Sequence, residues 1–331
     1  MLDDATFDDR LDLFHSAPSP DRVTVYARLR EPPADGRYAL RGTIRGPHCL
    51  YSTTLQTTAD FKDAGPGETL LAKALVVDPC YWTPELPFLY DVEVELLREG
   101  KVTARARREF GMRDLAVRGR FLYLNGKRFV PRGVTSWQLD RRFPTVDAAV
   151  LHDEGCVVFA QEISEAFFAT ASRLGVFVIL EIDPWLMTQR RDEKLPDADL
   201  PVVAPDMEFV AAVIRRLARH PSVAIAAVIN SFLSRPFPFE VAPQLIPAAS
   251  LGNVEDLQEL SSNFQAVVLR IYEAPSAEMA AALQLPAIMF DARPSIDDEE
   301  NQASLISEAR AKADRFQADL APYGDFAGYI V

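Results

Sequence analysis

The sequence predicts an α/β protein with an all-β front: a β-sandwich followed by a (β/α)8 barrel. Three observations carry that prediction. Across residues 21–112 apolar and polar side chains alternate, as in strands with one buried and one wet face. From residue 113 the period lengthens to that of helices, and continuous apolar runs fall between them, the mark of strands covered on both sides. Those runs number eight in roughly 215 residues, the strand count of a small barrel. A doubly wound open sheet fits the bare alternation of runs and helices as well.

In chain order, residues 1–20 read as a loose arm ending in Ser16-Ala17-Pro18-Ser19-Pro20. Val23, Val25, Ala27 and Leu29 then alternate with Thr24, Tyr26, Arg28 and Arg30, and Tyr90, Val92, Val94 and Leu96 with Asp91, Glu93 and Glu95. Pro32-Pro33, Gly46-Pro47 and Gly65-Pro66-Gly67 punctuate these strands, and Arg98-Glu99-Gly100-Lys101 reads as a hairpin turn. Phe121–Leu124 and Lys127–Val130 flank Asn125-Gly126, the favoured type I′ pair.

The barrel strands are expected at Arg132–Ser136, Cys156–Ala160, Val176–Leu180, Val223–Ile229, Pro243–Pro247, Phe264–Ile271, Pro286–Phe290 and Phe326–Val331. Between them, Ala166, Phe167, Thr170, Ala171 and Leu174 share one helix face, and Gly175 supplies a stop. Phe209, Val210, Val213, Ile214 and Leu217 mark a second helix. Ile306, Ala309, Ala313, Phe316 and Leu320 mark a third.

Composition narrows the function classes. Lys+Arg 35 against Asp+Glu 48 gives a net charge of −13, which argues against a nucleic-acid or anionic-membrane partner. Cys49, Cys80 and Cys156 are scattered, without metal-ligand or disulfide-framework spacing, and read as small buried hydrophobes. The acidic N-terminus lacks a signal-type apolar region, so a cytoplasmic location is expected. No Gly-rich phosphate loop, no Cys-x-x-Cys pattern and no Gly-x-Ser-x-Gly elbow occurs, and no metal or other cofactor is expected.

Several separated signatures resemble glycoside hydrolase family 2, the β-galactosidases, β-glucuronidases and β-mannosidases. Tyr81-Trp82-Thr83-Pro84-Glu85-Leu86-Pro87-Phe88-Leu89-Tyr90 is similar to the family's Trp-Ser-Pro-Glu-x-Pro-x-Leu-Tyr, and Phe110-Gly111-Met112-Arg113 to its Phe-Gly-Phe-Arg. Leu124-Asn125-Gly126-Lys127, Arg132-Gly133-Val134, Arg173-Leu174-Gly175 and His220-Pro221-Ser222 follow in the family's order. The resemblance covers about residues 21–331 and implies a shortened member, with an immunoglobulin-like sandwich at 21–112 and a TIM barrel at 113–331.

What the resemblance implies for the site is a loss. The family's fourth strand ends Asn-Glu, and that Glu is the general acid/base; here Asn230 is followed by Ser231. The nucleophile Glu of the seventh strand is replaced by Asp291. A retaining glycosidase needs two carboxyl groups about 5–5.5 Å apart, one to attack and one to donate a proton. A serine hydroxyl does not donate a proton near neutral pH, and Asp is one methylene shorter than Glu. General acid–base help is worth about 10²–10⁴-fold and a misplacement on the order of 1 Å about 10²-fold. Glu181 and Asp183 end the third strand and Glu273 follows Tyr272 at the end of the sixth, where a barrel places its active site. Glu273 with Asp291 is the pair that could rebuild a dyad; loop-rim acids or N-caps are the plainer reading of Glu181 and Asp183.

Asn230, Tyr272, Trp137 and Trp185 are the remaining candidate sugar contacts, Trp faces being suited to stacking on sugar rings, although a packed loop Trp is the commoner case. Three functions follow as expectations. The first is a catalytically degenerate family-2-like protein that binds a glycan or glycoside. The second is an active retaining β-glycosidase using Asp291 with a relocated acid such as Glu273. The third is a structural module with a protein partner or a second copy of itself.

Overall fold

The structure, a computed structural model, describes residues 2–34, 36–65, 67, 69–135, 146–155, 157–160, 165–184, 206–229, 238–253, 255–273, 277–293 and 302–331. Two compact units are present: Met1–Asp114 with Arg219–Pro221, and Leu115–Ala218 with Ser222–Val331.

The first unit is antiparallel. Strands β1 (Leu11–His15), β2 (Arg22–Leu29), β3 (Tyr38–His48), β4 (Thr57–Asp63), β5 (Leu70–Val77), β6 (Leu89–Arg98) and β7 (Lys101–Phe110) run in the spatial order β1-β2-β5-β4-β3-β6-β7. The alternation read from the sequence is the burial pattern: Val23, Val25, Ala27 and Leu29 are buried, with Ala72, Ala74, Val92, Val94 and Leu96 in the same core. Trp82 is fully buried, its backbone N–H donating to the Met112 carbonyl at 2.7 Å. Cys49 and Cys80 are half-buried free thiols rather than core residues.

The N-terminal residues differ from the loose arm that the sequence suggests. Helix α1 (Asp4–Arg10) and strand β1 are integral to the first unit. Asp3 caps α1 by accepting from the Thr6 N–H at 2.8 Å. Phe7 is completely buried in the sandwich core. The C-terminal carbonyls of α1 meet guanidinium groups, that of Asp8 in addition to the Leu11 N–H. Arg30 donates to the Asp9 carbonyl at 2.6 Å, and Arg108 donates to the Asp8 carbonyl and, through Nε, to the Asp8 carboxylate at 2.7 Å. On β7 the Arg105 N–H donates to the Asp4 carboxylate at 2.8 Å, so the helix covers that strand's open edge.

The second unit opens with a three-stranded sheet, β8 (Leu115–Arg118), β9 (Phe121–Leu124) and β10 (Lys127–Phe129), the last two joined by Asn125-Gly126, both at positive φ as a type I′ turn requires. A closed parallel barrel follows: β11 (Arg132–Thr135), β12 (Val157–Ala160), β13 (Val178–Ile182), β14 (Val223–Ile229), β15 (Ile246–Leu251), β16 (Ala266–Ile271), β17 (Ala287–Asp291) and β18 (Gly328–Ile330). Register pairs Arg132 with Tyr329 and Gly133 with Ile330, which closes the ring and rules out the open sheet. Gly133 lies against β12 so closely that an added Cβ would sit 1.7 Å from the Val157 carbonyl oxygen.

Among the described residues, helices α2 (Val146–Asp153), α3 (Glu165–Leu174), α4 (Met207–Ala218), α5 (Ala277–Ala282) and α6 (Gln302–Leu320) accompany the strands. Phe168, Ile214, Leu217 and Phe316 pack with outward strand residues in one core. Gly175, at φ +81°, ends α3. The fifth strand runs Ile246–Leu251, later than the expected Pro243–Pro247. Its small residues Ala248, Ala249 and Ser250 do not read as an apolar run, yet all are buried. No described helix is long and apolar enough to cross a membrane.

Candidate active site

The barrel core sorts its strand side chains by parity. Leu180 and Ile182 of β13, Ala249 and Leu251 of β15, Leu269 and Ile271 of β16 and Met289 of β17 pack with helix residues. Side chains alternate along a strand, so Glu181, Ser250, Arg270 and Phe290 face the lumen. Their own contacts agree. Ser250 Oγ donates to Glu181 Oε1 at 2.5 Å, Arg270 Nη2 donates to the same oxygen at 2.6 Å, and Arg270 Nη1 donates to Ser250 Oγ at 3.0 Å. The Arg270 guanidinium lies 5.5 Å from the Phe290 ring centroid, and Phe290 lies 5.4 Å from Phe159 of β12.

Strands β13 and β16 are three apart in a ring of eight, so this ion pair crosses the lumen rather than running along its wall. Only 5% of the Glu181 side chain and 19% of that of Arg270 are exposed. A buried charge persists when paired and hydrogen-bonded, and here both conditions hold. The plainer expectation of a loop-rim acid or N-cap does not describe Glu181, which lies within a strand. Asp183 follows β13, half-buried.

Asp291 closes β17 with the parity of Met289, the helix-facing side. Arg293 Nε donates to Asp291 Oδ1 at 2.7 Å and Nη2 to Oδ2 at 2.6 Å, while the Arg293 N–H adds 3.2 Å to Oδ1. Both carboxylate oxygens are thereby engaged. The hydrogen bonds that Arg293 donates to Asp291 raise the Arg293 pKa above the usual guanidinium value, against the opposing effect of burial. The guanidinium lies 5.4 Å from the ring of Phe316 on α6.

Tyr272 is 57% exposed and Glu273 is exposed just past β16. Trp137, Trp185, Asn230 and Ser231 lie outside the described residues. Of the residues singled out from sequence, the described structure ties Glu181 into a lumen cluster and Asp291 into a local clamp. The partners Ser250 and Arg270 were not anticipated. One signal was available: Arg270 interrupts the apolar run Ala266–Ile271, and a charge inside a buried strand needs a counter-ion. Among the described residues no group of three or more His, Cys, Asp or Glu could hold a metal.

Residues 16–113 match the sequence model of glycosyl hydrolases family 2. The chain resembles that family. A β-galactosidase of Oenococcus oeni is 31% identical over 93 residues, 28% of this chain and 9% of that protein. The family-2-like fold extends through the barrel. A β-D-glucuronidase structure from Dictyoglomus thermophilum superimposes with TM-score 0.64 at 16% identity, covering 97% of this chain and 61% of that one. A family-2 member from Bacteroides cellulosilyticus gives TM-score 0.65 at 15% identity, covering 97% and 45%. The chain thus spans roughly half the length of these solved structures. Their sandwich and barrel are the two units described above, so the family-2-like fold holds over both.

Proposed function

We propose that this family-2-like chain binds a glycan at the C-terminal face of its barrel and does not cleave it. One observation carries the reading: Glu181 within β13 and Asp291 at the end of β17 are each tied to an arginine, Glu181 to Arg270 and Asp291 to Arg293. A nucleophile needs an oxygen free to reach the anomeric carbon, and an acid/base needs a proton to give. Asp291 has both oxygens engaged and lies on the parity that faces the helices. Ser231 stands where the resemblance puts the proton donor, and a hydroxyl does not fill that role near neutral pH.

Glycan binding is supported by the family-2 likeness and by the chemistry of the lumen. Guanidinium, hydroxyl and carboxylate beside the aromatic ring of Phe290 are groups that meet sugar hydroxyls and C–H faces. The test is a glycan array on the whole chain together with nitrophenyl β-glycoside incubation. Selective array binding without nitrophenol release is expected. An empty array with a co-purifying protein would support the interaction-module reading instead.

A further inference from the structure

The charge state of the lumen cluster points to a ligand class. We propose that the barrel mouth selects uncharged sugars and disfavours hexuronates and other carboxylated sugars, because Glu181 already neutralises Arg270. This rests on the glycan-binding reading and names the substrate class of the same site.

A lone guanidinium in a half-dry lumen would be a strong receptor for a carboxylate, since the two planar groups match in a fork of parallel hydrogen bonds. Arg270 is not alone. Its Nη2 is committed to Glu181 Oε1 at 2.6 Å and its Nη1 to Ser250 Oγ at 3.0 Å. Ser250 in turn donates to the same Glu181 oxygen, so the three groups are joined by hydrogen bonds and the Glu181 carboxylate balances the Arg270 charge. A carboxylated ligand must displace Glu181 from its arginine, leaving a carboxylate buried without its cation, or approach a guanidinium whose charge is already cancelled. Both are costly.

Glu181, whose side chain is only 5% exposed, holds Arg270 at 2.6 Å. A neutral sugar faces no such barrier. Arg270 has five N–H donors, and the Glu181 and Ser250 bonds use only part of them. The remainder can donate to sugar hydroxyls, while Phe290, beneath the guanidinium at 5.5 Å, offers an apolar surface for sugar C–H groups.

The test is calorimetric binding of methyl β-glucoside, methyl β-galactoside and the corresponding methyl β-uronates to the whole chain. The neutral glycosides are expected to bind at least about tenfold more tightly, the factor of one charge-assisted hydrogen bond forgone. Glu181→Gln keeps the shape, removes the negative charge and is expected to move the ratio toward the uronates, in a salt-sensitive way. A uronate that binds wild-type protein as tightly as its neutral counterpart overturns the selectivity while leaving glycan binding intact. Absence of binding by every glycoside overturns the glycan-binding reading, and this proposal with it. If Glu181→Gln does not fold, the wild-type ratio alone decides.

Discussion

Removing Arg270 from the lumen would take the paired guanidinium from Glu181, a carboxylate whose side chain is 5% exposed. Breaking such a pair costs about 3–5 kcal/mol, far more than the pair contributes relative to an apolar replacement. Arg270→Met should therefore lower the urea midpoint sharply, and Glu181→Leu in the same chain should restore most of the loss. Equal midpoints for wild type and Arg270→Met would show that the pair is not formed. His15 gives a second prediction at this scale. Its Nδ1 lies 2.8 Å from the Ser16 carbonyl, and its Nε2 accepts from the Arg113 N–H at 3.3 Å, so the folded protein holds the neutral imidazole. Burial is the main cause that moves its pKa below the ordinary value, with the nearby Arg113 charge acting in the same direction. The unfolded chain takes up the proton first as pH falls, so stability is full above about pH 6.5 and declines below it. Chemical denaturation between pH 7.5 and 5 should show that decline in wild type, and a shallower one in His15→Gln.

At the scale of elements, α1 depends on what it packs against rather than on its own seven residues. Helices this short are marginal in water, and Asp and Thr are weak helix formers. Phe7→Ala removes its single buried anchor and should cost about 3–5 kcal/mol, read as a lowered denaturation midpoint. That explains why the helix is hard to see in the sequence: the arginines that donate to its carbonyls are Arg30, just past β2, and Arg108 of β7. The sandwich strands were legible because alternation records a one-sided core, and most barrel strands because continuous apolar runs record a two-sided one. Strand β15 was misplaced because lumen packing there calls for Ala and Ser. Gly133 shows the limit of close approach between β11 and β12. Gly133→Val places a side chain where 1.7 Å separates the first added atom from the Val157 carbonyl oxygen, and the barrel's circular-dichroism signature should be lost. The site was half legible. Strand-end acids announce themselves by position, but the pairing of Glu181 with Arg270 joins residues that meet only when the barrel closes.

At the scale of the whole molecule, the family-2-like fold covers both units, and we propose that the residues which would run the family's chemistry have changed. Fold alone does not carry activity; the site decides, and here arginines hold the carboxylates at two strand ends. The most direct measurement is turnover of nitrophenyl and methyl β-glycosides by wild-type protein beside Asp291→Ala. The account predicts no release above buffer from either protein with either leaving group. Nitrophenol release by wild type that disappears in Asp291→Ala would contradict it, since Asp291 would then be a working nucleophile.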